Sequence, residues 1–312
     1  MKILRHAPPA AETALAIGSF DGVHLGHAAL MREVVAQAHK RGLESAVLTF
    51  EPLPREFLAG DEAPGRLSSL AERLAAIEQT GIGTVLVQRF DARFASLTAE
   101  AFHERMRSHY RARWVGVGEN FRYGKGRRGN AELLAAAGKS LGFEVAAMPA
   151  VVADGERISS TRVREALAHG AFDEARRLLG RPYAICGHVV HGAKRGRGLG
   201  FPTANVRLAR PKPALGGIFA VKCFGAATRG LEGVASLGIN PAVRDGGPAT
   251  LEAFLFDFSG DLYARRLTIE FVKKLRDEAD FASLDELRAQ IRRDCDAARE
   301  YFRAREDNEA AP

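Results

Sequence analysis

Ala14-Leu15-Ala16-Ile17-Gly18-Ser19-Phe20-Asp21-Gly22-Val23-His24-Leu25-Gly26-His27 is the stretch whose reading decides the fold. Four apolar residues form a buried strand. Beyond the loop, Leu30, Val34, Val35 and Ala38 recur at three- and four-residue spacings, the pattern of an amphipathic helix. Strand, glycine-bearing loop, helix is the geometry that aims backbone N–H groups at an anion. The loop ends in His-x-Gly-His, with two imidazoles at the helix mouth. Each can donate to a phosphate oxygen, and a protonated one adds charge where the helix dipole already favours an anion. Gly26 keeps a Cβ away from a closely approaching phosphate. The same residues also fit a tight strand-to-helix turn with two surface histidines.

A second element shifts that balance: Arg157-Ile158-Ser159-Ser160-Thr161-Arg162, running into Val163 and Leu167. One hydroxyl at a helix start is an N-cap. Three in a row between two arginines exceed the needs of capping, and can bind a triphosphate through hydroxyls, helix N–H groups and guanidinium forks. Two motifs gripping one nucleotide from opposite sides suit nucleotidyl transfer, in which catalysis is mostly positioning and charge stabilisation. Between them, strands are expected at 46–50, 84–87 and 114–117. Helices are expected after the capping-box spacing Ser69-Leu70-Ala71-Glu72 and over 99–110. This alternation predicts an α/β domain with a parallel sheet and helices on both faces. Ligands of such sheets bind at the carboxyl ends of the strands, where His24 and His27 fall. Gly116 to Gly126 follows a strand and mixes Asn120, Phe121 and Tyr123 with cations and glycines. That mixture suits a planar ring beside a phosphate, with a mobile glycine-rich loop as the lesser alternative. Thr49 to Pro54 needs no more than a turn stiffened by prolines.

After Pro182 the texture changes to short apolar runs separated by glycine, at 183–190, 218–224, 231–237, 251–258 and 267–272. This predicts a small antiparallel barrel. It closes on a helix opened by the capping box Ser283-Leu284-Asp285-Glu286, with Leu284, Leu287, Ile291, Ala298 and Phe302 on one face and a frayed tail after about Glu306. Gly187 to Asn205 is a basic, glycine-rich loop whose N–H groups could form a phosphate nest. Thr203 and Asn205, two apart after Pro202, offer neutral oxygens suited to a Mg²⁺ that keeps several waters, or simply a turn entering a strand. Alternation places Glu252 with Phe254 and Phe256 on an apolar face, which argues for a purpose as acid or base.

The chain has 312 residues, more than one hydrophobic core usually supports, so two domains are expected, at 1–182 and 183–306, with 307–312 as a tail. A net charge of +7 fits either nucleic-acid binding or an enzyme of polyanionic small molecules. No apolar run approaches membrane-spanning length, and no secretory leader is visible. Cys186, Cys223 and Cys295 make neither a disulfide framework nor a metal site, which fits a reducing cytoplasm.

Taken together the motifs resemble the bifunctional prokaryotic riboflavin kinase/FAD synthetase family from Gly18 to about Tyr301. The resemblance implies a Rossmann-like nucleotidyltransferase domain followed by a riboflavin-kinase barrel with a C-terminal helix. It implies ATP, riboflavin and FMN as substrates: riboflavin and ATP give FMN, then FMN and ATP give FAD and pyrophosphate. His24 and His27 would stabilise charge on the ATP phosphates, with Asn120, Arg157, Ser160 and Thr161 completing the adenylyl site. Gly18, Phe20, Asp21, Gly26, Ser159 and Arg162 would belong to its nucleotide-binding surface, and Phe121 to Gly124 would lie near FMN. In the barrel, Thr203 and Asn205 would hold Mg²⁺ with the ATP phosphates, and Gly192, Lys194, Gly198 and Gly200 would line the phosphate loop. Glu252 would act as general base on the riboflavin 5′-hydroxyl. The sequence departs from the family at Ala242 (usually threonine), Ala264 (usually glycine) and Gly198 (commonly threonine). The expected partners are small molecules, with neither nucleic acid nor membrane, and association into a weak homo-oligomer is left open. Two rivals are a nucleotidyltransferase with a non-kinase barrel and a nucleic-acid-binding protein. The barrel strands lack the exposed aromatics alternating with basic residues that single-strand stacking needs.

Overall fold

Two units divide the chain: Met1–Pro64 with Leu70–Ser160, and Gly65–Ser69 with Thr161–Pro312. The computed structural model describes all residues except 6, 193–197, 199, 211, 240–248 and 311–312.

The first unit runs β1 (Lys2–Leu4), β2 (Thr13–Ile17), α1 (Leu25–Arg41), β3 (Glu44–Glu51), α2 (Pro54–Ala59), α3 (Leu70–Glu78), β4 (Thr84–Arg89), α4 (Ala92–Ala95), α5 (Ala99–Ser108) and β5 (Ala112–Gly118). A hairpin of β6 (Arg122–Tyr123) and β7 (Gly129–Asn130) follows, then α6 (Ala131–Leu141), β8 (Glu144–Met148) and the hairpin β9 (Val152–Ala153) and β10 (Glu156–Arg157). The sheet order is β1-β4-β3-β2-β5-β8, with every pair parallel. All five residues of β2 are buried, as a central strand covered on both faces requires. One face packs Leu15 and Ile17 with Leu48, Phe102 and Tyr110. The other packs Ala14 and Ala16 with Met31, Val34, Val47 and Trp114. The expected parallel α/β sheet is what forms. The sheet order reverses at β2, whose successors β3 and β5 lie on opposite sides of it. That switch point lies at the carboxyl ends of β2 and β5, the place where such sheets bind ligands.

The second unit begins with α7 (Ser160–Ala168), whose first residue still clusters with the sheet, and α8 (Phe172–Leu179). β11 (Ala184–Val190), β12 (Ala204–Val206), β13 (Gly217–Phe224), β14 (Leu231–Ile239), β15 (Ala249–Leu255) and β16 (Arg266–Arg276) close an antiparallel barrel in the order β11-β12-β15-β14-β13-β16. Its interior holds Ile185, Phe219, Val221, Ala235, Leu237, Leu251, Ala253, Ile269 and Phe271, all nearly sealed from solvent. The helix Leu284–Ala310 lies on the outer face, where Cys295, Ala298 and Phe302 pack on Ile218, Ala220, Val234 and Phe256. Its start is capped as the sequence predicts, the Glu286 N–H donating to Ser283 Oγ at 3.2 Å. The helix continues to Ala310, past the expected tail start, because 303–310 holds neither glycine nor proline to stop it.

Gly65–Ser69, which lies between α2 and α3 in sequence, clusters with the barrel. Arg66 N–H donates to Lys212 O at 2.7 Å, and Arg66 forms a parallel bridge with Pro213. Leu67 O accepts from the Tyr183 hydroxyl at 3.1 Å and from the buried Arg210 Nη1 at 2.7 Å.

Candidate active sites

The 18–24 turn that joins β2 to α1 is made from left-handed backbone. Gly22 has φ 83°, and so, without the excuse of glycine, do Phe20 at 50° and Val23 at 43°. A β-branched residue at positive φ is rare, and a surrounding structure must over-determine it. Here the packing is extreme: Phe20 and Val23 are 2% and 3% exposed. The strain delivers His24, in extended conformation, as the N-cap of α1. Its Nδ1 accepts from the His27 N–H at 3.3 Å, which fixes the neutral ring's proton on Nε2. The His27 ring stacks on that of His24 at 3.6 Å, and Phe20 meets His27 edge-on at 5.2 Å. Gly26 is the space that makes the pair possible. A Cβ there would meet His24 Cε1 at 3.1 Å and Nδ1 at 3.2 Å, so its nearest demand is the imidazole, not only an approaching phosphate.

Of the two ways an imidazole can serve here, donating while neutral or adding charge when protonated, His27 is set up for the first. Burial, followed by the nearby His24 and Arg157, pushes its pKa well below the ordinary value, so the ring is neutral at neutral pH. The ring as a whole is half-exposed, but its Nδ1 is sealed and finds no hydrogen-bond partner. A buried, unpartnered ring nitrogen at a helix N-terminus is a group poised for a ligand.

Three neighbours hold the turn. Ser160 Oγ donates to Asp21 O at 2.9 Å, so this hydroxyl is engaged with the loop itself. Thr49 Oγ1 donates to Ser19 O at 3.2 Å. Arg73, fully buried on α3, donates to Ser19 O at 2.9 Å, Phe50 O at 3.0 Å and Glu51 Oε2 at 2.7 Å. Its guanidinium locks the ends of β2 and β3 together. Sequence reasoning missed Arg73 because an arginine on a helix reads as a solvated face, and no local signal marks it otherwise. At the end of β5, Asn120 is exposed, and Arg157 pairs with Glu119 at 3.1 Å with both side chains half in solvent. Phe121, half-exposed, stacks on the buried Tyr123 at 5.4 Å. Ile158 is buried and Ser159 half-buried. Thr161 and Arg162 belong to the second unit, where Arg162 Nε donates to Glu174 at 3.0 Å.

In the barrel, β12 places Asn205 directly opposite Glu252 of β15, which in turn faces Ser236 of β14. Thr203 Oγ1 donates to Glu252 Oε2 at 3.1 Å. The Asn205 carboxamide lies against Gly192, where a Cβ would fall 2.4 Å from it. Thr203, Asn205, Glu252 and Gly192 are therefore one cluster. The reading of the Glu252 face needs correction. The sealed face of β15 is Leu251, Ala253 and Leu255, whereas Glu252 and Phe254 alternate onto the half-exposed outer face. Phe254 is apolar there because it packs towards the C-terminal helix, and Phe256, past the strand end, is buried beneath that helix. Beside the cluster a cavity of about 540 Å³ is lined by Thr203, Ala204, Leu255 and the 258–263 loop, ending in Tyr263, whose ring meets that of His191 tilted at 3.9 Å. Gly198 and Gly200 are open to added atoms, with Gly200 at φ 88°. Ala264 keeps the left-handed conformation, φ 61°, that a glycine would hold without strain. Lys194 and 240–242 lie outside the described residues.

The donor set suits a hard cation. Thr203 spends its hydroxyl proton on Glu252, so its lone pairs remain for a metal, and the Asn205 amide supplies a second neutral oxygen. Among the described residues no group of three or more His, Cys, Asp or Glu side chains converges as a transition-metal site would need.

The family model described as FAD synthetase matches residues 7–162, and that described as riboflavin kinase matches 179–302. A bifunctional riboflavin kinase/FMN adenylyltransferase of Escherichia coli K12 is 46% identical over 289 residues, 92% of each chain. Proteins with the same description from Pseudomonas fluorescens and Haemophilus influenzae are 45% and 41% identical, over 91% and 93% of this chain and 91% and 94% of theirs. A crystal structure described as a macrolide-efflux protein from Streptococcus pneumoniae superposes with a TM-score of 0.76 at 30% identity, covering 94% of this chain and 97% of its own. Among the described residues no helix is long and apolar enough to cross a membrane. The two family models fall in order on the sheet and the barrel, and the relatives match nearly end to end, so the chain belongs to the bifunctional riboflavin kinase/FMN adenylyltransferase family.

Proposed function

We propose that the two activities of this enzyme are divided between two catalytic domains, adenylyl transfer in residues 1–182 and riboflavin phosphorylation in the barrel of residues 183–306. The observation that carries the first assignment is the sealed, unpartnered Nδ1 of His27 in the mouth of α1, beside a second imidazole whose proton is held on Nε2. A phosphate oxygen of FMN attacks the α-phosphorus of ATP, the bond to the bridging oxygen breaks, and pyrophosphate leaves. The helix N–H groups, His24 and the exposed Arg157 guanidinium meet the negative charge that builds on the phosphates. His27 enters this step neutral and is the group whose proton affinity rises as that charge approaches. Asn120, Ser159, Ser160, Thr161 and Arg162 complete the nucleotide surface, with Gly18, Phe20, Asp21 and Gly26 shaping its floor and Phe121 and Tyr123 on the flavin side.

In the barrel, Glu252 removes the proton of the riboflavin 5′-hydroxyl, whose oxygen attacks the γ-phosphorus of ATP to release ADP. The Thr203 hydroxyl orients the carboxylate that does so. Thr203 and Asn205 hold Mg²⁺, which neutralises phosphate charge when bound. The cavity walled by Thr203 and the 258–263 loop takes the nucleotide, with Gly192, Lys194, Gly198 and Gly200 around the phosphates. The enzyme works in the cytoplasm on small molecules and needs no nucleic acid.

A chromatographic time course with riboflavin, ATP and Mg²⁺ tests this reading. FMN appears first and is then converted to FAD. Omitting Mg²⁺ stops the first conversion. If supplied FMN yields no FAD, the assignment of the first unit fails.

A further inference from the structure

The three rings on the flavin side form a ladder: Phe102 lies 4.8 Å from Tyr123, and Phe121 stacks on Tyr123 from the other side. Tyr123 is the middle rung and is wedged in place. A Cβ on Gly129, its partner across the β6–β7 hairpin, would fall 2.5 Å from the ring, so only a glycine there leaves it room. The loop is tied to the start of α5, with the Lys125 N–H donating to Leu97 O at 2.7 Å. At the far end of the ring, the Tyr123 hydroxyl meets Nε2 of His103, a histidine only 6% exposed on the buried face of α5.

Nothing in the two reactions uses His103, yet burial shapes both members of this pair. It lowers the His103 pKa, against the opposing pull of Glu100 and Glu104, and raises that of Tyr123 to about 12. Both groups are therefore neutral, and they share one buried hydrogen bond whose direction follows the imidazole tautomer. Without an acceptor the hydroxyl would be an unsatisfied group in apolar surroundings, and the ring would have to turn out towards water.

We infer that His103 is a positioning residue for the flavin in the adenylyl site: by hydrogen-bonding the Tyr123 hydroxyl it fixes that ring, and through it the half-exposed face that Phe121 presents to FMN. This rests on the proposed placement of FMN beside 121–124. His103 itself touches no substrate, so its loss is felt in FMN recognition and not in the chemistry.

The test uses the full chain with FMN supplied directly. His103→Leu raises KM for FMN about ten-fold, with KM for ATP, kcat and riboflavin phosphorylation within two-fold. The double variant H103L/Y123F brings KM for FMN back to within about two-fold of wild type, since removing both partners of a buried hydrogen bond leaves nothing unsatisfied. His103→Gln, which keeps an acceptor, stays within about three-fold and carries the test if H103L does not fold. An unchanged KM for FMN in H103L, an equal rise for ATP, a double variant no better than H103L, or a ten-fold loss in H103Q each overturns the inference. Wild type that makes no FAD from FMN would instead overturn the placement of FMN on which it rests.

Discussion

The sheet unit and the barrel unit both handle ATP, but they build their phosphate chemistry from different material. At the end of β2 the proposed working surface is backbone: a turn with left-handed Phe20, Gly22 and Val23 that presents the N-terminus of α1, with His24 and His27 stacked at its mouth. On the barrel it is side chains: Asn205 and Glu252 on the outer face of two paired strands, with Thr203 just before the first of them. A helix end supplies positive potential and needs an anion. Oxygen donors on a barrel wall supply negative potential and need a cation between themselves and the phosphates. The first site accordingly concentrates strain in its backbone, and the second leaves strand geometry undisturbed.

The sharpest break of this contrast is an exchange of losses. His27→Ala lowers FAD formation from FMN about 10³-fold, in the range expected when a preorganised electrostatic group is removed. It leaves FMN formation within two-fold. Glu252→Ala and Asn205→Ala do the reverse, which initial rates measured separately for each product will show. Equal loss of both products in either variant would show that the division of labour is wrong. Next in size is Arg73→Met, which leaves Glu51 and two carbonyls without their buried partner and costs about 3 kcal/mol. In a thermal inactivation series FAD synthesis fails first, and riboflavin phosphorylation survives to higher temperature.

The pH dependence sharpens the contrast further. The folded state holds His27 below its ordinary value near 6.5, so as pH falls past that value the unfolded chain takes up a proton that the folded chain refuses. Stability is level above about pH 6.5 and declines below it. In His27→Gln this part of the decline disappears, as denaturant midpoints between pH 5 and 7.5 will show. The smallest effect belongs to the barrel. Ala264→Gly relieves a left-handed alanine and stabilises the barrel by about 0.5–1 kcal/mol after the added chain entropy of glycine is set against the relieved strain, which a higher unfolding midpoint will show.

What could be read in advance follows the same physics. The central strands were legible because apolar runs at 46–50, 84–87 and 114–117 are buried on both faces. β1, with two exposed residues of three, carries no such run, and three-residue β12 hides behind Pro202. His24, His27, Thr203 and Asn205 stood out as candidates because such residue types recur at close spacing. Arg73 and His103 were not, since each acts on residues about 20 or more positions away, and a burial that depends on tertiary packing leaves no periodic trace. Glu252 was found by alternation, but alternation alone does not say which face of a barrel is the inside. The C-terminal helix makes part of the outer face apolar as well.

The placement of Gly65–Ser69 has a consequence for dividing this chain. A single cut anywhere between the two catalytic regions cannot release an intact kinase, because the C-terminal piece would lack the Leu67 carbonyl that Tyr183 and Arg210 use. A gene fragment starting at Thr161 would encode a barrel missing one of its own parts, restorable only by supplying the missing residues as a separate peptide. The chain is two enzymes in function, but its thread passes through the second before it has finished building the first.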